Sequence, residues 1–160
     1  MNADFDVFLF FRDRRREAQR FRYARQTDAR ELAQDIENEA RAVLEGLGYR
    51  TAKTGHNEHF DLWVEGVRVE VKGATFTDRY QANLRGNDAD VLVFGCVNGA
   101  THFFVIPWPA LGRRRNLAIW SQNPDDYQGR WARFRDAWGI VDDLVADPPR
   151  PYQLALPLEV

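Results

Sequence analysis

Phe60, Leu62 and Val64 alternate with polar or amphipathic residues, and Val67, Val69 and Val71 do the same beyond Glu65-Gly66. A strict period of two predicts two half-buried strands, and Gly at the second turn position suits a tight hairpin. With a two-residue loop at 65 and 66, paired residues sum to 131, so Asp61 lies opposite Glu70 and His59 opposite Lys72. One face of the hairpin carries all six apolar residues. The other carries His59, Asp61, Trp63, Arg68, Glu70 and Lys72.

Upstream, Leu32, Ile36, Ala40, Val43, Leu44 and Leu47 recur at helical spacing behind an Asp28/Glu31 capping box, and Gly46 and Gly48 stop the helix. Glu37 and Glu39 flank the apolar stripe on opposite sides. A short strand over 49–53 and a polar loop over 54–58 lead into the hairpin. Beyond Gly73, 75–85 reads as a loop running into a short helix. The continuous apolar run 91–97 predicts a central strand covered on both faces. Asn98-Gly99 is a hairpin turn, 101–106 the returning strand, and Pro107 and Pro109 end it. Residues 117–120 suit an edge strand. Trp131, Phe134, Ala137, Trp138 and Val141 predict one amphipathic helix with Arg130, Arg133 and Arg135 away from its stripe. Segment 5–11 fits either a strand or the start of a helix, and Pro148-Pro149-Arg150-Pro151 starts an extended tail. The order predicts an α/β core, a mixed sheet with a helix on at least one face.

A chain of 160 residues with 44% apolar content suits one domain with one core. Its parts are an Arg-rich N-terminal extension (1–27), a core (28–106) and a C-terminal helical or extended part (107–160). Net charge is only −2, but basic residues cluster: residues 12–30 hold eight Arg against three acids, and Arg113-Arg114-Arg115 forms a second patch. Either cluster can hold a polyanion, or simply be a solvated face. The single cysteine, Cys96, lies in the apolar run and excludes an intrachain disulfide or a cysteine-based zinc site. The short opening apolar segment lacks signal-peptide features, and no run approaches membrane-spanning length. The expectation is an intracellular, cytoplasmic protein.

Like charges opposed across a ladder destabilise it, and a divalent cation between Asp61 and Glu70 removes that penalty. The hairpin therefore reads as a metal site for phosphodiester chemistry, against the plainer alternative of a hairpin with one solvated face. Of 22 basic residues, 20 are Arg and only Lys53 and Lys72 are Lys. A compact ammonium beside a carboxylate and an attacking water calls for Lys rather than the wide planar fork of Arg.

Asp61 and Glu70-Val71-Lys72 on adjacent strands after an acidic helix resemble the PD-(D/E)xK nuclease superfamily, over roughly 28–106. That superfamily includes archaeal Holliday-junction resolvases and many restriction enzymes. In resolvase-like members a helix Glu precedes a Leu by five positions and a Gly-aromatic pair by nine. Glu39, Leu44 and Gly48-Tyr49 match that spacing, which favours Glu39 over Glu37 as the third acid. His59-Phe60 stands where a Pro often precedes the Asp. The resemblance implies a restriction-endonuclease-like fold, a central mixed β-sheet flanked by helices. It implies Mg2+, or Mn2+ in its place, held by Asp61, Glu70, the Val71 carbonyl and Glu39, with Lys72 orienting the attacking water. The expected activity is DNA endonuclease, acting as a homodimer. A junction resolvase, an exonuclease and a non-catalytic relative that binds nucleic acid or protein are the alternatives. Arg79, Gln81 and Arg85 are candidates for nucleic-acid contact. His56 and His59 flank the site, and Trp63 and Arg68 lie on its face.

Overall fold

The computed structural model of the chain describes residues 28–55, 59–86 and 88–148. The apolar segment 5–11, most of the first Arg cluster, His56 and the Pro-rich tail after Pro148 lie outside the described residues. Helix α1 occupies 28–46, and Asp28 is already helical, so it does not cap the helix. Ile36, Ala40 and Leu44 are its buried stripe, while Leu47 is 54% exposed beyond the last turn. The helix stops in a Schellman arrangement: Tyr49 N–H donates to Leu44 O (3.1 Å), Gly48 N–H to Glu45 O (3.0 Å), and Gly48 has φ 98°.

Strands β1 (Thr51–Lys53), β2 (Leu62–Val64) and β3 (Val67–Thr75) form an antiparallel meander. The β2–β3 register pairs Leu62 with Val69, Trp63 with Arg68 and Val64 with Val67, as the alternation predicts. Glu65 (φ 48°) and Gly66 (φ 89°) both take the left-handed conformation that a type I′ turn demands. β3 then runs parallel to β5 (Val91–Asn98), which turns at Gly99 into antiparallel β6 (Ala100–Pro107). The five-stranded mixed sheet has the order β1-β2-β3-β5-β6. Buried Asp90 clamps its lower end: Arg68 donates to Asp90 from its backbone amide (2.8 Å) and its guanidinium (2.7 Å).

The segment after Gly73 is not a loop and helix. β3 continues to Thr75, and Tyr80–Asn83 is a strand, β4. Short helix α2 (Trp108–Leu111) follows β6, and β7 (Asn116–Ile119) pairs with β4 as a separate two-stranded ribbon rather than as an edge of the main sheet. Tyr80, Ala82, Leu84, Leu117 and Ile119 bury one face of the ribbon against Leu92, Phe94, Phe104 and Ile106. Ala, Gln and Asn are weak strand formers, so β4 depends on its distant partner and on this packing.

The C-terminal stripe is likewise not one helix. A 3-10 turn (Ala132–Phe134) leads to an antiparallel bridge between Arg135 and Phe104, a positive φ at Asp136 (48°), and then α3 (Gly139–Ala146). Trp131 and Phe134 pack with the ribbon, whereas Trp138 and Val141 pack with α1 on the opposite face. Residues at helical spacing thus serve two cores separated by the sheet.

α1 approaches the sheet at a pair of glycines. Gly73 and Gly95 are register partners on β3 and β5. A Cβ at Gly73 would lie 2.6 Å from Ile36 Cγ1, and one at Gly95 would lie 2.8 Å from Ile36 Cγ2. Ile36 fills the notch that two missing side chains leave. Gly95→Ala should cost about 1–3 kcal/mol by overpacking. The urea midpoint should fall with an unchanged m-value, and an unaltered midpoint would contradict the close approach.

Candidate functional site

β3 presents Glu70 and Lys72 on the side of the sheet that faces the ribbon, beside their parallel register partners Leu92 and Phe94. The Lys72 ammonium lies 2.5 Å from Glu70 Oε1. Asp61 immediately precedes β2. Its amide donates to Val69 O (3.0 Å), its Oδ2 accepts from Val71 N–H (2.7 Å), and its carbonyl accepts from Thr54 N–H (3.1 Å). The chain on both sides of Glu70 therefore holds Asp61. Asp61, Glu70, His59, Phe60, Arg85 and Gly86 line a cleft of about 270 Å³.

Burial is the main force on both acids and pushes each carboxyl above its ordinary value. For Asp61, the Val71 amide and the Lys72 ammonium pull back, while Glu37 adds to the rise. For Glu70, Lys72 pulls back and Asp61 adds to the rise. Two carboxyls, each raised by burial and by a neighbouring acid, with one ammonium beside them, are short of positive charge.

The α1 acid that couples to Asp61 is Glu37, and Glu39 lies exposed on the helix. At about 100° per residue, Glu37 stands about 60° from the centre of the Ile36/Ala40/Leu44 stripe, against about 100° for Glu39 on the other flank. That angular difference was available in the sequence; motif spacing alone favoured the other residue. Glu37 accepts an ion pair from Lys53 (3.1 Å). The two lysines of an Arg-dominated chain thus each pair with an acid of this cluster.

The remaining candidates are distributed around it. Val71 contributes its N–H to Asp61. His59 is exposed at the rim, and Arg85 lines the cleft. Gln81 lies on strand β4, not on a helix, and accepts from Arg79 Nε (2.8 Å); Arg79 also pairs with Asp78 and stacks 4.7 Å from the Trp120 ring. Arg68 is engaged by Asp90, and Trp63 meets Phe60 edge-on at 4.7 Å. Cys96 is fully buried, with its thiol pushed far up by desolvation.

Among the described residues no three His, Cys, Asp or Glu side chains form a metal-holding group. Hard oxygen donors from one or two carboxylates nevertheless suit Mg2+, which keeps several waters and takes substrate phosphate as a ligand. Asp61 and Glu70 fit that donor set in number and chemistry.

Folding raises the affinity of Asp61 and Glu70 for protons, so the native state holds more protons than the unfolded one and stability falls as pH rises through the carboxylate range. With EDTA present, Asp61→Asn and Glu70→Gln should therefore melt above wild type at pH 7. The gain should shrink as pH falls through the carboxylate range and the wild-type carboxyls take up protons. Thermal melts across pH check this; a wild type that gains stability steadily from pH 4 to 7 relative to both variants would contradict it.

Neither a protein-family model nor a curated protein matches the chain. Among solved structures it is similar to a bacterial homing endonuclease, I-Ssp6803I. The TM-score is 0.60 and the identity 21%, covering 71% of this chain and 92% of that one. At that identity the likeness concerns the fold: a mixed α/β core with a central five-stranded sheet, compatible with a nuclease core.

Proposed function

We propose that this chain is a metal-dependent DNA endonuclease that hydrolyses phosphodiester bonds at the Asp61/Glu70 cleft, beside Lys72. One observation carries the reading. Two acids from neighbouring β segments line an open cleft, the Lys72 ammonium pairs with one of them, Glu70, and burial raises both carboxyls. The fold likeness to a homing endonuclease supports the same reading.

In this reading Asp61 and Glu70 hold a divalent ion, Mg2+ or Mn2+, with the Val71 carbonyl as a further oxygen donor. The ion supplies Lewis-acid polarisation of the phosphoryl oxygen. Asp61 is fixed through Oδ2 by the Val71 amide, which leaves Oδ1 to serve the ion. Lys72 orients the attacking water and offsets the negative charge that grows on the phosphoryl oxygens. Glu37, tied to Lys53, acts from α1 as the third acid in place of Glu39. One such site cuts one strand, and in this reading a second copy of the chain, in a homodimer, supplies the site for the other.

The test incubates the full chain with supercoiled plasmid, linear duplex, single strand and a four-way junction, in Mg2+, Mn2+ or EDTA. EDTA should abolish cutting. Asp61→Asn and Lys72→Ala should retain binding and cut at least about 10²-fold more slowly; a fully active double variant refutes the assignment. Glu37→Gln should slow cutting on the order of tenfold or more, whereas Glu39→Gln should cut like wild type. The reverse ranking would return the third acid to Glu39.

A further inference from the structure

A second, larger cleft of about 810 Å³ opens beside the carboxylates, between the end of β4 and the turn after α2. Arg85, Arg113, Arg114 and Arg115 line it together with Asn83 and Asn116. Arg85 and Gly86 line both clefts, so the acidic cleft and the basic one adjoin. No Asp or Glu among the described residues lines the basic end.

The basic end is built on fixed backbone. Leu84 N–H donates to Arg115 O (2.8 Å), and Asn83 and Asn116 are register partners at the end of the ribbon. Leu111 and Leu117, both nearly fully buried, anchor the turn on either side of Arg113–Arg115. The three Arg side chains are exposed. Arg114 stacks over Trp131 at 5.8 Å. Among the described residues, Arg85, Arg113 and Arg115 have no ion-pair partner. Adjacent guanidinium groups on a concave wall repel one another, and a row of phosphates relieves that repulsion while accepting forked hydrogen bonds. The wall offers guanidinium and amide groups, and its one aromatic, Trp108, is partly buried and packed on the core. Single-strand binding relies on exposed stacking platforms, so a duplex backbone is the better match.

We propose that Arg85 and Arg113–Arg115 form a phosphate track for duplex DNA that leads its backbone to the carboxylate cleft. The assignment rests on the nuclease reading above and adds the residues that hold the substrate on one side of the cut. These contacts carry charge and position rather than sequence, so they act through salt-dependent binding.

The test measures anisotropy of a labelled linear duplex against full-length protein at several salt concentrations with EDTA present. Arg113→Gln/Arg115→Gln should weaken binding on the order of tenfold or more and lower the log–log salt slope by about 2. Arg113→Lys/Arg115→Lys should keep the slope. Arg50→Glu, with the same change of net charge beside β1 and outside both clefts, should leave affinity and slope near wild type. Circular dichroism confirms that each variant is folded. An unchanged slope in the first variant overturns the track, as does an equal loss in the Arg50→Glu control, which would make the effect one of net charge. Plasmid cutting in Mg2+ is read separately: if wild type binds with the expected slope but never cuts, the nuclease reading fails and the track stands.

Discussion

Ile36 seated against the paired glycines of β3 and β5 is the contact on which the arrangement of the whole domain depends. Three segments distant in sequence meet there, and none of them can shift without opening a void or creating a clash. Because Ile36 and Glu37 are consecutive, the seat also fixes where an acid of α1 meets the head of β2. Gly73 follows Lys72 directly, so the strand is closest to the helix one residue after its ammonium leaves on the other side. Packing on one face and charge on the other are set by adjacent residues of the same two elements.

The polar cluster is expensive in the absence of a ligand. Burial raises both carboxyls, and each is raised further by another acid. A scaffold selected only for stability would replace them with neutral residues, because burying such charge costs more than its ion pair and hydrogen bonds return. The arrangement persists here with the Asp61 carboxylate held on the Val71 amide, which orients it without neutralising it. Orientation without neutralisation is what a cation-binding site requires.

Local signals were strong where the period was strict and the partner near. The β2–β3 register, the left-handed turn at 65–66, the Gly48 stop and the buried β5 were legible because alternation and glycine placement act over a few residues. β4 was not, because Tyr80-Gln81-Ala82-Asn83 is held by β7, a partner no local pattern reveals. The 131–141 stripe misled for a different reason: spacing shows which residues are buried, not that they are buried on the same side. Glu37 was within reach of a helical-wheel argument. The adjacency of the two clefts was not, because Arg85 and Arg113–Arg115 are brought together only by the ribbon.

The crossing of residues 131–138 has a consequence for how copies of this chain can join. In passing from one core to the other, the segment bridges Phe104 and donates Asp136 N–H to Phe103 O. The outer rim of β6 is thereby partly occupied by the chain's own backbone, and strand addition there, from a sister molecule or from a misfolded one, meets hydrogen-bonding groups already taken.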